Sequence, residues 1–200
     1  MKNEESGRKG KGIEEALERT GAVLTGHFRL ASGLHSDRYL QCARLLAIPR
    51  EARAVGKALA EEFRNHNVDA VVGPALGGVV LSFVVADALG VPGYFAEKSS
   101  DAPNGFLLRR GFPVPRGKRV LLVEDVITTG GSILRLRNYL RGLGAEIVGI
   151  GAIVDRRAND EGFVSKEAYR ALVRIHARLY QEENCPLCAK GLPLDRPGSG

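Results

Sequence analysis

The sequence predicts an α/β domain: a mostly parallel, twisted sheet flanked by helices. Three observations predict it. Two segments repeat the order strand, Gly-rich turn, helix, strand: "DAVVGPALGGVVLSFVVADALGVPGYFAEK" and "KRVLLVEDVITTGGSILRLRNYLRGLGAEIVGIGAIVDRR". That rhythm makes βαβ units, whose strands are parallel. The apolar runs at 120–123 and 147–154 are continuous rather than alternating, as in strands covered on both faces. Finally, 200 residues suffice for one domain with a real core and are marginal for two.

The elements follow in chain order. Residues 1–12, "MKNEESGRKGKG", are polar and lack the apolar centre of a signal peptide, so 1–11 are read as a loose tail. Residues 12–24 have helical spacing, with Ile13, Leu17 and Val23 on one side. Residues 26–46 are turn-rich, with strand-like pieces at 28–30 and 39–41. Pro49 opens a helix over 49–67, in which Val55, Leu59 and Phe63 recur every four residues. Residues 98–117, rich in Gly, Pro and charge, are read as a mobile loop with room for a hairpin. Val173, Ile175, Ala177 and Leu179 alternate with Arg174, His176, Arg178 and Tyr180, a period of two that predicts a strand with one wet face. Residues 181–200 form a turn-rich tail.

Charge and cysteine usage narrow the function classes. Net charge is +6, which suits a phosphorylated small molecule, nucleic acid or an anionic surface. The basic residues are dispersed, with no run of five or six, so a nucleic-acid tail is unsupported. No apolar run approaches the roughly 18 residues of a membrane span. The 3 cysteines, odd in number and without an export signal, point to a reducing cytoplasm.

The chemistry concentrates in "VLLVEDVITTGGS", residues 120–132. In parallel sheets ligands bind beyond the C-terminal ends of strands, where Glu124 and Asp125 fall. Two adjacent carboxylates there can accept hydrogen bonds from a pair of vicinal hydroxyls. They can also draw close a hydrated Mg²⁺, which prefers oxygen ligands and keeps several waters. The turn that follows enters a helix near Gly131, whose free amides and positive end suit a phosphate. Gly130 and Gly131 permit close approach, and Thr128, Thr129 and Ser132 add hydroxyls. A Walker A loop would need Lys after the glycines, and Ile133 follows Ser132. No G-x-G-x-x-G opens a helix here.

This run resembles the phosphoribosyl-pyrophosphate (PRPP) signature of the type I phosphoribosyltransferases. Three further segments, "GHFRLASGLHSDRYLQ", "VVGPALGG" and "VDRR", narrow the resemblance to the orotate phosphoribosyltransferases. It extends from about Gly12 to the C-terminal tail.

The resemblance implies a type I phosphoribosyltransferase fold, in which 12–48 form a small N-terminal cap covering the base, and transfer of ribose 5-phosphate from PRPP to orotate, releasing pyrophosphate, in pyrimidine biosynthesis. It also implies a cytoplasmic homodimer and Mg²⁺ carried by PRPP and water near Glu124 and Asp125. PRPP would be held by Glu124 and Asp125 on the ribose hydroxyls and by Val126, Ile127, Thr128, Thr129, Gly130, Gly131 and Ser132 around the 5′-phosphate. The loop Ala75, Leu76, Gly77 and Gly78 would cup the pyrophosphate, in a segment where the family often has a cis peptide. Ser32, Gly33, Thr128 and Arg156 would hold orotate, the guanidinium matching its carboxylate, with Tyr39 or Leu40 packed on the ring. Where many relatives have lysines, this chain has Ala31 and Gly77, and its loop lacks a histidine. Lys98 and the Arg109–Arg110 pair are the expected substitutes, with Lys98 catalytic beside Glu124 and Asp125. Two rivals stay open: a purine or xanthine phosphoribosyltransferase, and a PRPP-sensing nucleic-acid regulator on the same fold.

Cys185 and Cys188 form a single C-x-x-C. A closed zinc site needs four ligands. His176, Cys42 or a second subunit are the candidates for the rest, and the pair is read as two reduced thiols in a turn. His27, His35 and His66 show no ligand spacing and are read as surface or supporting residues.

Overall fold

The computed structural model describes residues 2–30, 32–102, 104–157 and 167–197, with side chains from Lys11 onward. Ala31 lies outside them. The elements run α1 (Lys2–Arg19), β1 (Val23–Arg29), β2 (His35–Leu40), α2 (Cys42–Leu46), α3 (Pro49–Glu62), β3 (Ala70–Pro74), α4 (Gly77–Leu89), β4 (Gly93–Lys98), β5 (Phe106–Leu107), β6 (Arg119–Ile127), α5 (Gly131–Gly142), β7 (Glu146–Asp155), β8 (Ala168–Arg174), β9 (Leu179–Tyr180) and α6 (Pro186–Ala189).

Two sheets result. The larger has the order β5-β4-β3-β6-β7-β8. Its five longer strands are parallel, and β5 returns antiparallel along β4. The apolar runs are continuous because both faces are buried, and neighbouring residues go to different cores. Val71, Leu121 and Val123 pack with α1 to α4, whereas Val72, Leu122 and Val120 pack with Ile133, Leu136 and Leu140 of α5. The second sheet, β1-β2-β9, is antiparallel and small. It joins the N-terminal hairpin to the C-terminal segment.

Several boundaries differ from those the pattern suggested. The residues expected as a loose tail begin α1, which is continuous from Lys2. They include Glu, Lys and Arg, good helix formers, and the helix is anchored further on by buried Ile13, Ala16 and Leu17. That helix stops at Arg19, because Gly21 turns the chain at φ 65. Val23 therefore belongs to a strand. Helix α3 ends at Glu62, a short 3₁₀ turn follows, and Asn67 takes a left-handed φ of 46. Its stripe is as spaced: Val55, Leu59 and Phe63 are fully buried. The alternation after Ala171 holds through Val173 and Ile175, then is lost in the irregular stretch 175–178 between β8 and β9, leaving Leu179 exposed on β9.

The segment 98–117 is a short hairpin anchored on the domain. Lys98 pairs with Phe106, whose ring is buried. Leu108 N–H donates to the Tyr139 hydroxyl at 3.0 Å. Phe112 lies against Tyr94 and Phe95.

Candidate active site

Three neighbouring strands, β3, β6 and β7, end side by side, and each carries one part of the site. At the end of β6 sit Glu124 and Asp125. Burial first, then the Asp125 charge beside it, push Glu124 up to about 7, while the Ser132 hydroxyl, Lys98 and Arg135 pull it down. Burial also raises Asp125, against hydrogen bonds from the backbone amides of Val126 and of Asp125 itself. Its Oδ1 accepts the Val126 N–H at 2.9 Å. The site thus holds two carboxylates in a region short of positive charge for their depth.

The next turn enters α5 through Gly130, at φ 77. Thr129 Oγ1 accepts the Gly131 N–H at 3.3 Å. Thr128 and Thr129 are exposed, and Gly131 and Ser132 are half-buried. The first-turn amides of α5 have no carbonyl within the helix to bond, so they form an anion-ready end.

The loop after β3 comes from the other side. Its Ala75–Leu76 peptide is cis. A Cβ built on Gly77 would lie 2.7 Å from both Asp125 carboxylate oxygens. Glycine thus lets the N-terminus of α4 approach Asp125 closely, and a side chain at 77 would make the carboxylate shift. Helix ends α4 and α5, with their positive dipoles, flank the same pair of acids.

At the end of β7, the two arginines of "VDRR" separate in role. Arg157 is buried and grips Asp155 with two bonds, Nε–Oδ1 at 3.0 Å and Nη2–Oδ2 at 2.7 Å, and Arg174 adds a third at 3.1 Å. Burial alone would raise Asp155; the Arg157 hydrogen bonds overcome it and hold the carboxyl down at about 2. That stability is present above the ordinary carboxylate range and is lost as pH falls towards 2. Arg157→Ala is expected to destabilise the fold by about 3 kcal/mol in urea unfolding near neutral pH, because it strands a buried charge.

Arg156 is free of such a grip. It is half-buried, with its backbone N–H donating to Ile127 O at 2.8 Å and its Nη2 donating to Ser36 Oγ at 3.2 Å. Among the described residues no carboxylate lies in ion-pair contact with it. Burial pulls its pKa down; Asp37 and Tyr39 oppose this. Ser36 belongs to β2, so the N-terminal hairpin roofs this arginine. Its tip carries Ser32, exposed, and Gly33 at φ 85.

The remaining candidates fall in two groups. Lys98 is exposed at the end of β4 and interacts electrostatically with Glu124. Arg110 instead donates to Glu97 at 2.6 Å and lies over Phe95. Sequence reasoning missed Arg135, one turn into α5, whose guanidinium acts on Glu124 and flanks Gly131 and Gly105. A cation one helical turn beyond the glycine turn was the signal for it. It also missed Ser36, which no motif marks. Cys42 is buried beneath the site with Sγ 4.0 Å from Asp125 O; burial raises its thiol pKa strongly.

Residues 41–180 match the family model of the Phosphoribosyl transferase domain. The chain is 49% identical over 183 residues to the orotate phosphoribosyltransferase of Thermus thermophilus, covering 92% of this chain and 98% of that one. Its identity to the orotate phosphoribosyltransferase of Thermotoga maritima is 45% over 188 residues, covering 94% and 97%. Among solved structures, orotate phosphoribosyltransferase from Aeropyrum pernix aligns with a TM-score of 0.69 at 26% identity, over 80% of this chain and 92% of that chain. No helix among the described residues is long and apolar enough to cross a membrane. With acids, anion-ready turns and parallel sheet in this arrangement, and relatives of such identity along nearly its whole length, the chain belongs to the orotate phosphoribosyltransferase family and has the type I phosphoribosyltransferase fold.

Proposed function

We propose that the protein transfers ribose 5-phosphate from PRPP to orotate, forming orotidine 5′-phosphate and pyrophosphate for pyrimidine biosynthesis in the cytoplasm. The observation that carries the choice of orotate is Arg156. It is a half-buried guanidinium beside the glycine turn, held by Ser36 and, among the described residues, with no carboxylate in ion-pair contact. An acidic pyrimidine supplies the missing carboxylate, and the planar fork suits it.

In this reading PRPP lies along the ends of β3 and β6. Glu124 and Asp125 accept the ribose hydroxyls, residues 126–132 hold the 5′-phosphate, and residues 75–78 cup the pyrophosphate. The anionic ring nitrogen of orotate forms a bond to C1 as the C1–O bond to pyrophosphate breaks, and that electron pair leaves with pyrophosphate. Orotate gives up the proton of that ring nitrogen to solvent before the bond forms. The residues contribute by positioning and by meeting the charge that develops. Lys98 and Arg135 supply that charge, joined by Arg110 once it leaves Glu97.

Mg²⁺ fits this donor set of hard carboxylate oxygens, whose raised pKa values reflect buried negative charge. Glu124 and Asp125 would hold it through water, together with the substrate. Bound there, it neutralises pyrophosphate charge.

The test is initial-rate assay with PRPP, Mg²⁺ and a panel of orotate, uracil, hypoxanthine and xanthine. Turnover confined to orotate is expected; turnover of a purine and not of orotate would overturn the reading. Arg135→Ala is expected to raise the KM for PRPP about tenfold or more while leaving the KM for orotate near its original value.

The protein acts as a homodimer in this reading. Leu76, Val80 and Phe83 form an exposed apolar stripe at the start of α4, with Leu76 88% and Phe83 69% exposed. A second copy covers it. Phe83→Glu is expected to shift the sedimentation profile from dimer to monomer.

A further inference from the structure

Away from the catalytic strand ends, the two terminal segments of the chain meet in a cluster of four metal-ligating side chains. His27 of β1, His35 of β2, Cys185 and Cys188 bring one ligand atom each within 4.8 Å of the others. All four lie outside residues 41–180, the stretch matching the phosphoribosyltransferase family model. We propose that His27 Nε2, His35 Nδ1, Cys185 Sγ and Cys188 Sγ form a closed tetrahedral site for one structural Zn²⁺, which pins the C-terminal segment to the N-terminal hairpin.

The spacings are those of a tetrahedron built on zinc. With Zn–N near 2.0–2.1 Å and Zn–S near 2.3 Å, its edges are about 3.3 Å between nitrogens and about 3.6 Å between nitrogen and sulfur. The two ring nitrogens are 3.0 Å apart. His27 Nε2 lies 3.6 Å from each sulfur, and His35 Nδ1 lies 3.3 Å from Cys188 Sγ. These four edges approach those of the tetrahedron, and the remaining two pairs of the cluster lie within 4.8 Å.

The tautomers agree. His27 Nδ1 is 2.9 Å from Leu192 O. A backbone carbonyl only accepts, so Nδ1 carries the proton and Nε2 presents a bare lone pair to the cluster. A carbonyl on the outer nitrogen is how a ligating histidine is commonly held. His35 sharpens the case, since its Nε2 is buried and has no hydrogen-bond partner among the described residues. If Nδ1 carries the proton, a lone pair is buried unsatisfied at Nε2. If Nε2 carries it, two bare nitrogens oppose each other at 3.0 Å, which a cation between them makes favourable. Two thiolates and two neutral imidazoles around Zn²⁺ sum to zero charge, which suits burial. Tetrahedral S₂N₂ is a zinc donor set.

The local sequence builds the cysteine half. Cys185 caps α6, Pro186 starts it, and Cys188 follows three residues on, so both sulfurs share one side. Hydrogen bonds already align the partners: Asp195 N–H donates to His27 O at 2.8 Å, and Arg29 N–H donates to Asp195 O at 2.9 Å. His35 itself pairs with Tyr180 across β2 and β9. Cys188 is exposed, which leaves a path for the ion. A clip between residues more than 150 positions apart closes a long loop, where such links restrict the unfolded chain most.

The experiment is elemental analysis of untagged protein purified without chelator, in a non-thiol reductant. About one zinc per chain is expected. Stripped protein dialysed against micromolar Zn²⁺ should recover it, and Co²⁺ in its place should show tetrahedral ligand-field bands with thiolate charge transfer. Zinc release on acidification should be steep, because binding displaces two thiol protons. Cys185→Ser with Cys188→Ser should lose the metal. His27→Cys should keep it and strengthen the charge-transfer band, which guards against a double variant that merely fails to fold. Absence of zinc both as purified and after dialysis, or an octahedral cobalt spectrum without thiolate bands, would overturn the assignment.

Discussion

Replacing Glu124 and Asp125 together by Gln and Asn is expected to lower kcat/KM for PRPP by about a thousandfold or more. Two charged hydrogen bonds to the sugar would go, each worth about 2–3 kcal/mol, and each 1.4 kcal/mol is tenfold. The same acids should destabilise the unliganded fold. Glu124 is pushed up to about 7, so between the ordinary carboxylate range and 7 the folded state binds more protons than the unfolded chain. Its stability therefore falls as pH rises through that window. Glu124→Gln alone should then be more stable than the parent at pH 8, by up to about 3 kcal/mol, with the difference vanishing below about pH 4.5. Denaturant midpoints across pH 4 to 8 measure this. A variant both fully active and no more stable at pH 8 would sink the assignment of these acids to the sugar.

Arg156 should control the base and nothing else. Arg156→Ala is expected to lower kcat/KM for orotate about a hundredfold, by removing a charged two-bond contact worth about 2–3 kcal/mol. The dissociation constant for PRPP, read by calorimetry, should stay within a few-fold. Arg156→Lys should recover only part of the loss, since an ammonium keeps the charge but not the fork. Fold stability should barely change, because Asp155 is neutralised by Arg157 and Arg174 rather than by Arg156. If PRPP affinity fell as far as orotate turnover, the guanidinium would belong to the phosphate site instead.

Much of the fold was readable because its signals are local. The continuous apolar runs of β6 and β7, the four-residue spacing of Val55, Leu59 and Phe63, and Pro49 at a helix start each lie within one element. The acid pair with its glycine turn also spans only 120–132, so the chemistry and geometry of that turn could be read together. Boundaries were harder: a single left-handed glycine, Gly21, divided what periodicity joined. The N-terminal residues looked like a tail because composition reports solvation, whereas α1 is propagated from an anchored end.

By itself, the sequence determined that the sheet is parallel, that a glycine turn follows β6 and that carboxylates stand at its edge, because each of those leaves a pattern within a single stretch of chain. Only the tertiary structure decided which arginine of "VDRR" faces the site, that Gly77 makes room for Asp125, and that His27 and His35 meet a C-x-x-C more than 150 residues away. Those outcomes depend on which strand ends adjoin and how the last segment returns to the first hairpin. Such geometry is set by sheet order and packing, and no spacing in the chain encodes it.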